Sequence, residues 1–449
     1  MENLKNLENL IDNKEFKLLR IATCDINPTD IATVIEELPI EKALILFRML
    51  PKDIAADVFS YLFHDIQQAI WERLSSREIF EVMEELFLDD TVDFIEEMPA
   101  AIAKKVLAHV TSETRDLINQ ILGYPENSAG SIMTVEYVDL KRHMTVAQAF
   151  ERIRKIGIDK ETIYTCYVID AERVLKGVVS VKTILLSEPD EIIGDIMDTS
   201  IIFTHTDADR EDVVLLFDKY DLMSIPVMDS ENRLVGIITV DDIIDVVQEE
   251  VTEDFEKMAA MLPSDKPYLK TSVLQLARNR ISWLILLMIA AMITGSILEN
   301  FEAAIATLPL LVAFIPLLMD TGGNSGSQSS TMIIRGMALK EITPQDFVRI
   351  VWKEMRVGLL VGTLLSLVNF IRVYLTYSNN PEVLRVCLTV SLTLLFTVVM
   401  ANVIGGALPI IAKKCRIDPA VMAAPLITTI VDALSLAVFF SLATVLLSI

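Results

Sequence analysis

Cysteine and histidine are scarce in this sequence. Of 449 residues four are cysteine (Cys24, Cys166, Cys387, Cys415) and four are histidine. There is no CxxC pair and no histidine near any cysteine in sequence, so neither a zinc site nor a disulfide framework is indicated, and a reducing cytosol fits. His64, His109, His143 and His205 lie outside the long apolar runs and form no triad with a reactive Ser or Cys. With no P-loop or phosphorylated-Asp motif either, neither an enzyme nor an ATP-driven pump is supported. A secretory signal is also missing: Glu2, Glu8, Asp12 and Glu15 fall where a basic start and an apolar core would be. Positive charge is short in the first part of the chain. Residues 1–277 hold 27 Lys and Arg against 54 Asp and Glu, whereas 278–449 hold 12 against 9. So acidic a region repels phosphate, which excludes nucleic acid as a partner.

Long apolar runs begin at about residue 281. Segments near 281–298, 303–333, 355–377, 384–411 and 421–448 are each long enough to cross about 30 Å of hydrocarbon, so residues 278–449 are expected to form a five-helix membrane domain. Arg278, Arg280, Arg335, Lys340, Arg349, Lys353, Arg356, Lys413, Lys414 and Arg416 fall on one side, and only Arg372 and Arg385 on the other. That bias predicts a multi-pass protein of the inner (plasma) membrane, with the lipid bilayer as a partner, a cytoplasmic N-terminal region and the C-terminus outside.

The N-terminal region divides further. Over residues 1–126 short helical stretches are punctuated near Pro39, Pro51, His64, Ser75, Phe87, Pro99 and Val110, predicting an all-α superhelix with proline in the first turn of its helices. Residues 127–192 and 193–246 alternate β-branched strands with helices, twice. Ser131-Ile132-Met133-Thr134 opens the first unit and Asp195-Ile196-Met197-Asp198 the second, which closes through Ser224–Asp229 and Gly236–Asp242. The tandem resembles a pair of CBS domains, α/β modules that often bind adenosine nucleotides. A connecting helix with a break at Pro263–Pro267 fills 247–277.

Three groups of residues could carry chemistry. Asp432 lies well inside the last apolar run, near Thr428, with no basic residue in that run. A carboxylate at membrane depth is costly and marks an ion path by default. The second group is Pro316–Thr331, in which Gly322, Gly323, Gly326 and polar Asn324, Ser325, Ser327 and Gln328 are expected to break a helix and offer oxygens to a hydrated cation. Close helix packing through Gly322 and Gly326 is the alternative. Asn402, with Gly405, Gly406 and Pro409, adds a polar point in the fourth run. The third group is cytoplasmic. Leu234–Glu256 holds eight carboxylates and no Lys or Arg, and Asp242, Asp245, Glu249 and Glu253 share one helix face. Like charges at that spacing repel, which favours divalent cations as partners. Asp89, Asp90, Asp93, Asp207, Asp209, Glu211, Asp212, Asp218 and Asp221 add to the charge, Asp89 or Asp90 doubling as a helix N-cap candidate.

The order of these parts, and Asp320-Thr-Gly-Gly-Asn-x-Gly-x-Gln328 followed by Thr331-Met-Ile-Ile-Arg335, resembles the MgtE family of magnesium channels and transporters over essentially the whole chain. The resemblance implies a homodimeric Mg²⁺ channel with its pore on the two-fold axis, lined near Asp432, Asn324, Asn402, Gly323, Ser327 and Thr428. It implies a cytosolic Mg²⁺ sensor that closes the pore, made of Asp89, Asp90, Asp93, Asp209, Glu211, Asp221, Asp242, Asp245, Glu250, Glu253 and Asp254, with Glu249 on the same helix, the connecting helix acting as the plug. Ser327 and Ala424 stand where a pore-side Asn is common in such proteins. ATP between the CBS domains would use Thr239 and Asp242, while Ser180 to Thr183 has lost the equivalent acid. Hard oxygen donors that leave water on the ion suit Mg²⁺, and the same oxygens accept Mn²⁺, Co²⁺ or Ni²⁺ as surrogates. A coupled divalent transporter or antiporter, and a CBS-containing divalent sensor that does not transport, are the rival readings.

Overall fold

The computed structural model describes residues 2–264, 268–269, 271–301, 309–378 and 382–447. The start of the expected 303–333 span, the Asp265–Pro267 part of the expected break and the end of the last span thus lie outside the described residues. Contacts divide the chain into two units, Met1–Val247 and Gln248–Ile449.

The first unit opens with helices α1 Glu2–Asp12, α2 Phe16–Cys24, α3 Pro28–Glu37, α4 Ile40–Met49, α5 Lys52–Ser60, α6 His64–Trp71, α7 Ser76–Met83, α8 Leu88–Glu97, α9 Ala100–His109 and α10 Ser112–Ile121. From α4 to α10 the residues that open each helix are Pro39, Pro51, Phe63, Ser75, Phe87, Pro99 and Thr111, a strict twelve-residue period. This corrects two expectations. The repeat is regular rather than stepping between 11 and 13, and Pro39, Pro51 and Pro99 precede the first turn instead of sitting in it. There their fixed φ (−55°, −56° and −53°) suits the extended entry, and no helical hydrogen bond is lost for want of an N–H. The same period places Phe47, Phe59 and Trp71 at equivalent positions, all buried. Phe59 meets Phe47, Trp71 and Phe94 at ring separations of 6.1, 6.0 and 5.1 Å. Each such ring buried contributes about 1.5–3 kcal/mol.

Two α/β modules follow. The first has β1 Tyr137–Leu140, α11 Val146–Ile156, β2 Thr162–Ile169, β3 Leu175–Ser180, α12 Val181–Leu186 and α13 Ile193–Ile196. The second has β4 Thr204–His205, α14 Arg210–Tyr220, β5 Ser224–Met228, β6 Leu234–Thr239 and α15 Val240–Met258. In each three-stranded sheet the first strand runs parallel to the second and the second antiparallel to the third. The modules exchange their leading segments: Thr134 bridges Ile237 of the second, and Asp198 bridges Val178 of the first. A Cβ on Gly236 or Gly177 would meet the sulfur of Met133 or Met197 at 2.7 or 2.6 Å, so the exchange requires glycine at both places. Tyr137, Tyr167, Ile169, Leu175, Met228, Leu234 and Ile237 form the seam between the sheets, where Tyr167 and Ser224 share a 2.7 Å hydrogen bond.

In the second unit α16 Val273–Asn300, α17 Ile315–Ala338, α18 Phe347–Thr376, α19 Val383–Lys414 and α20 Ala424–Leu447 are long helices. Spans containing α16, α18, α19 and α20 are long and apolar enough to cross a membrane. The region is therefore one of four apolar helices and a fifth, α17, of different composition: 24 residues, about 36 Å at 1.5 Å per residue, but too polar to qualify. The expected break at Gly322–Gly326 does not occur. α17 is continuous because its glycines are contact points: a Cβ at Gly322 would strike Thr397 and Val431 at 2.6 and 2.8 Å, one at Gly323 would strike Thr428 at 2.7 Å, and one at Gly405 would overlap the Gly326 carbonyl. Backbones that approach this closely gain packing that offsets the low helix propensity of glycine. Pro409 likewise sits inside α19 without ending it. Leu284, Ile289, Leu360 and Leu364, on α16 and α18, are exposed and suited to lipid.

Candidate cation-binding sites

The twelve-residue period starts α8 at Leu88, which puts Asp89 and Asp90 in its first turn. Neither is the N-cap; Phe87 holds that place with no side-chain bond, and the Asp89 carboxylate instead accepts the Asp90 N–H at 3.0 Å. The end of β6 delivers Thr239 and Asp242 to the same region. Asp242 accepts from the Thr239 hydroxyl at 2.5 Å and from its N–H at 3.3 Å. Through-space repulsion shows which groups are neighbours. Burial, then Asp89, Asp93, Asp242 and Asp57, push the Asp90 carboxyl up to about 8. Burial and then Asp89 push Asp242 up to about 7. Burial raises Asp89. Asp245 is raised by burial and then Asp241.

Glu161, just before the central strand β2 of the first α/β module, belongs to this cluster and has no signal in the sequence. Burial, then Asp89, Asp242, Asp241 and Asp90, push it up to about 8, and its Oε2 is buried with no hydrogen-bond partner among the described residues. Such an orphaned acceptor among carboxylates fits a cation. Among the described residues, however, no three His, Cys, Asp or Glu side chains converge tightly enough to hold one metal ion directly. The arrangement suits an ion that keeps its own water and is shared at longer range, as Mg²⁺ does.

Other residues carried over by position have local duties. Asp209 caps α14 by accepting the Glu211 N–H at 2.9 Å. Asp221 ends that helix in the left-handed conformation, φ 51°. Both are exposed, as are Glu211 and Asp93. Farther along α15, Glu253 pairs with Lys257 at 2.6 Å, and Lys257 also reaches Asp418 at 2.7 Å. The acidic helix face therefore does have a neutralising base, one residue past the lysine-free and arginine-free run. Burial opposes the charge on Lys257, but its hydrogen bonds to Asp418 and Glu253 outweigh that and hold its pKa above the ordinary range. Asp254 is raised by burial and then Asp418, while Glu249 and Glu250 lie on the same helix.

In the membrane unit Asp432 is half-buried on α20, within electrostatic range of Asp320 on α17. Asp320, Asn324 and Gln328, spaced four apart, form one exposed face of α17, while Gly322, Gly323, Gly326, Ser329 and Ser330 are buried on the other. The remaining polar residues there are used in packing. Ser327 donates to the Gly323 carbonyl at 2.7 Å and Thr428 to that of Pro425 at 3.0 Å. Asn402 is buried: with its amide nitrogen turned toward Ser325 it donates to Ser325 Oγ at 2.6 Å and accepts the Gly358 N–H at 3.2 Å. Of the six predicted pore residues, Asn324 and Asp432 thus stand nearest the open polar face, and Asn402 is committed to helix contacts.

Comparisons with known proteins agree with these parts. The family profile described as a divalent cation transporter matches residues 315–442, the MgtE intracellular N domain matches 26–127, and the CBS domain matches 193–249. The chain is 35% identical to the magnesium transporter MgtE of Thermus thermophilus over 445 residues, 98% of each chain, and 32% identical to that of Bacillus subtilis over 436 residues, 97% of this chain and 95% of the relative. Among solved structures it is similar to the cytosolic domain of the Mg²⁺ channel MgtE in complex with ATP, at TM-score 0.52 and 34% identity, covering 54% of this chain and 99% of that one.

Proposed function

This chain belongs to the MgtE family of magnesium transporters, and on that premise we propose that it is a Mg²⁺-selective channel for magnesium entry into the cytoplasm, closed by cytosolic Mg²⁺. The exposed Asp320–Asn324–Gln328 face beside Asp432 carries the conduction part of this reading. In a lone subunit that face would meet lipid, where ionisable groups cost at least about 2.5 kcal/mol each. A second copy related by a two-fold axis covers it and turns it into a wet path with a facing pair of Asp432 carboxylates. The homodimer follows from that need. The bias of basic residues sets the N-terminal region and the acidic cluster in the cytoplasm and the C-terminus outside.

The acidic cluster supports the feedback part. Asp57, Asp89, Asp90, Asp93, Asp241, Asp242 and Glu161 repel one another without an ion, and Mg²⁺ among them, together with the α15 carboxylates Asp245, Glu249, Glu250, Glu253 and Asp254, holds the cytosolic parts in a closed arrangement. Falling Mg²⁺ releases it. Mn²⁺, Co²⁺ and Ni²⁺ act as surrogates. ATP enters as a modulator at Thr239 and Asp242, in line with the ATP complex of the similar cytosolic domain.

The test is Mg²⁺ flux into proteoliposomes of the purified protein, with Mg²⁺ on the sensor side varied from zero to well above millimolar. We expect fast flux that shuts as that Mg²⁺ rises, loss of flux in Asp432→Ala, and loss of closure without loss of flux in Asp90→Asn. Flux that saturates and follows a second ion would replace the channel with a coupled transporter; no flux from folded dimer would replace it with a sensor.

A further inference from the structure

An open cleft of about 590 Å³ runs along the edge of the first α/β module, lined by none of the acidic-cluster residues and by neither Thr239 nor Asp242. Its wall is built by two elements. Tyr137 and Asp139 lie on the edge strand β1, and Val135 and Lys141 flank it just before and after. Arg152, Lys155 and Ile156, three and four apart on α11, face them across the groove. Lys160, Ile169 and Arg173 close its ends. Half of these ten lining residues are Lys or Arg, in a chain where such residues number 39 of 449 and the net charge is −24.

The cations are partly committed. Arg152 pairs with Asp139, the one carboxylate among the described lining residues, and Lys141 stands 3.5 Å from the same group. Arg173 donates to the Tyr137 hydroxyl at 2.9 Å. Lys155 and Lys160 make no ion pair among the described residues. Asp139 and Arg152 form a fixed pair, and the Lys155 and Lys160 ammonium groups beside it have no acidic partner among the described residues. Val135, Ile156 and Ile169 supply an apolar strip beside the Tyr137 ring. The volume falls within the about 300–1,000 Å³ of small-molecule sites, and an apolar strip beside convergent cations suits a ligand with an apolar body and anionic groups.

We propose that this cleft binds a phosphorylated small molecule carrying at least two anionic groups, its phosphates on Lys141, Lys155, Lys160 and Arg173 and its body on the apolar strip. The site is separate from the Thr239–Asp242 position. That position lies at the end of β6 beside the acidic cluster, whereas this cleft concentrates cations.

The probes are inorganic tripolyphosphate and ATP, titrated calorimetrically into the full chain in detergent, without Mg²⁺ and at physiological ionic strength. Tripolyphosphate is expected to bind once per chain. Lys155→Glu with Lys160→Glu should weaken it by about a hundredfold, since each charge-assisted hydrogen bond removed is worth about tenfold. Thr239→Val should leave it unchanged. Lys160→Gln alone, expected to cost about tenfold, serves if the double variant does not fold. In the Thr239→Val background, ATP binding more tightly than tripolyphosphate, with both weakened together by the lysine changes, would identify a nucleotide; equal affinity would identify the phosphate chain alone. Absence of tripolyphosphate binding, undiminished binding in the charge-reversed variant, or its loss in Thr239→Val would overturn the assignment.

Discussion

Replacing Asp90 by asparagine removes one charge from the acidic cluster while keeping its shape. Asp90, Asp242 and Glu161 are pushed up to about 8, 7 and 8. Each therefore binds more protons folded than unfolded between about pH 4 and pH 8, and by linkage the folded state without Mg²⁺ loses stability as pH rises through that window. Carrying one carboxyl from 3.8 to about 8 corresponds to somewhat over 5 kcal/mol at about 1.36 kcal/mol per pH unit. The groups are coupled and only half-buried, so the share recovered by one neutral substitution is nearer ~2 kcal/mol. Asp57, Asp89, Asp93 and Asp242 raise Asp90, and Asp89, Asp90, Asp241 and Asp242 raise Glu161. Asp90→Asn should accordingly raise the thermal midpoint of the Mg²⁺-free cytosolic transition at pH 8 by roughly 4–8 °C, since 1 kcal/mol moves a unit of this size by about 2–4 °C. As pH falls through the window the difference should shrink, to less than a third of its pH 8 size at pH 5, and vanish only below about pH 4, where the carboxyl is protonated folded and unfolded alike. With Mg²⁺ the order reverses in sensitivity, because the wild type has more charge for the ion to neutralise and gains more. A variant less stable than wild type at pH 8, or a difference that does not shrink between pH 8 and pH 5, would refute this account of the cluster.

Two further substitutions probe the second unit. Gly405→Ala should destabilise it by about 1–3 kcal/mol, as expected for overpacking, because the added carbon overlaps the Gly326 carbonyl; a lowered midpoint in detergent checks this, and an unchanged one would mean that α17 and α19 are not held in contact. Lys257→Ala removes both the Glu253 and the Asp418 ion pairs, which are partly exposed and so worth no more than about 1 kcal/mol each. The measurable effect should be a rise in Mg²⁺ affinity around Glu253 and Asp254, read as a lower Mg²⁺ concentration for closure in the flux assay.

Residues that act through local pattern were legible before any coordinates. Proline and serine entries reveal the helical repeat, and paired Ile-Met segments with Gly and β-branched strands reveal the duplicated α/β module. Errors arose where local chemistry competes with tertiary contact. The glycines of α17 weaken a helix in isolation, yet here each is a place where Thr397, Thr428 or the α19 backbone comes close, and packing wins over propensity. Asn402 looks like a ligand by residue type, but its partners Ser325 and Gly358 lie far along the chain. Glu161 was missed for the opposite reason. It sits among unremarkable residues, and only the fold sets it beside Asp89 and Asp242.

That the carboxylates of this cluster gather without converging has a chemical consequence of its own. Direct chelation needs several oxygens at about 2.1 Å from the ion, and no three described acidic side chains are so placed. If Mg²⁺ acts here through its water shell, a cation that cannot shed its ligands should do the same work. Hexaamminecobalt(III) has a firm shell of N–H donors and a larger charge, so in the absence of Mg²⁺ at pH 8 it should raise the cytosolic midpoint at least as far as an equal concentration of Mg²⁺. Asp90→Asn should reduce both effects by a similar fraction. If the cobalt complex leaves the midpoint unchanged while Mg²⁺ raises it, the side chains must rearrange to bind the bare ion, and the dispersed cluster is then a precursor of the site instead of its working form.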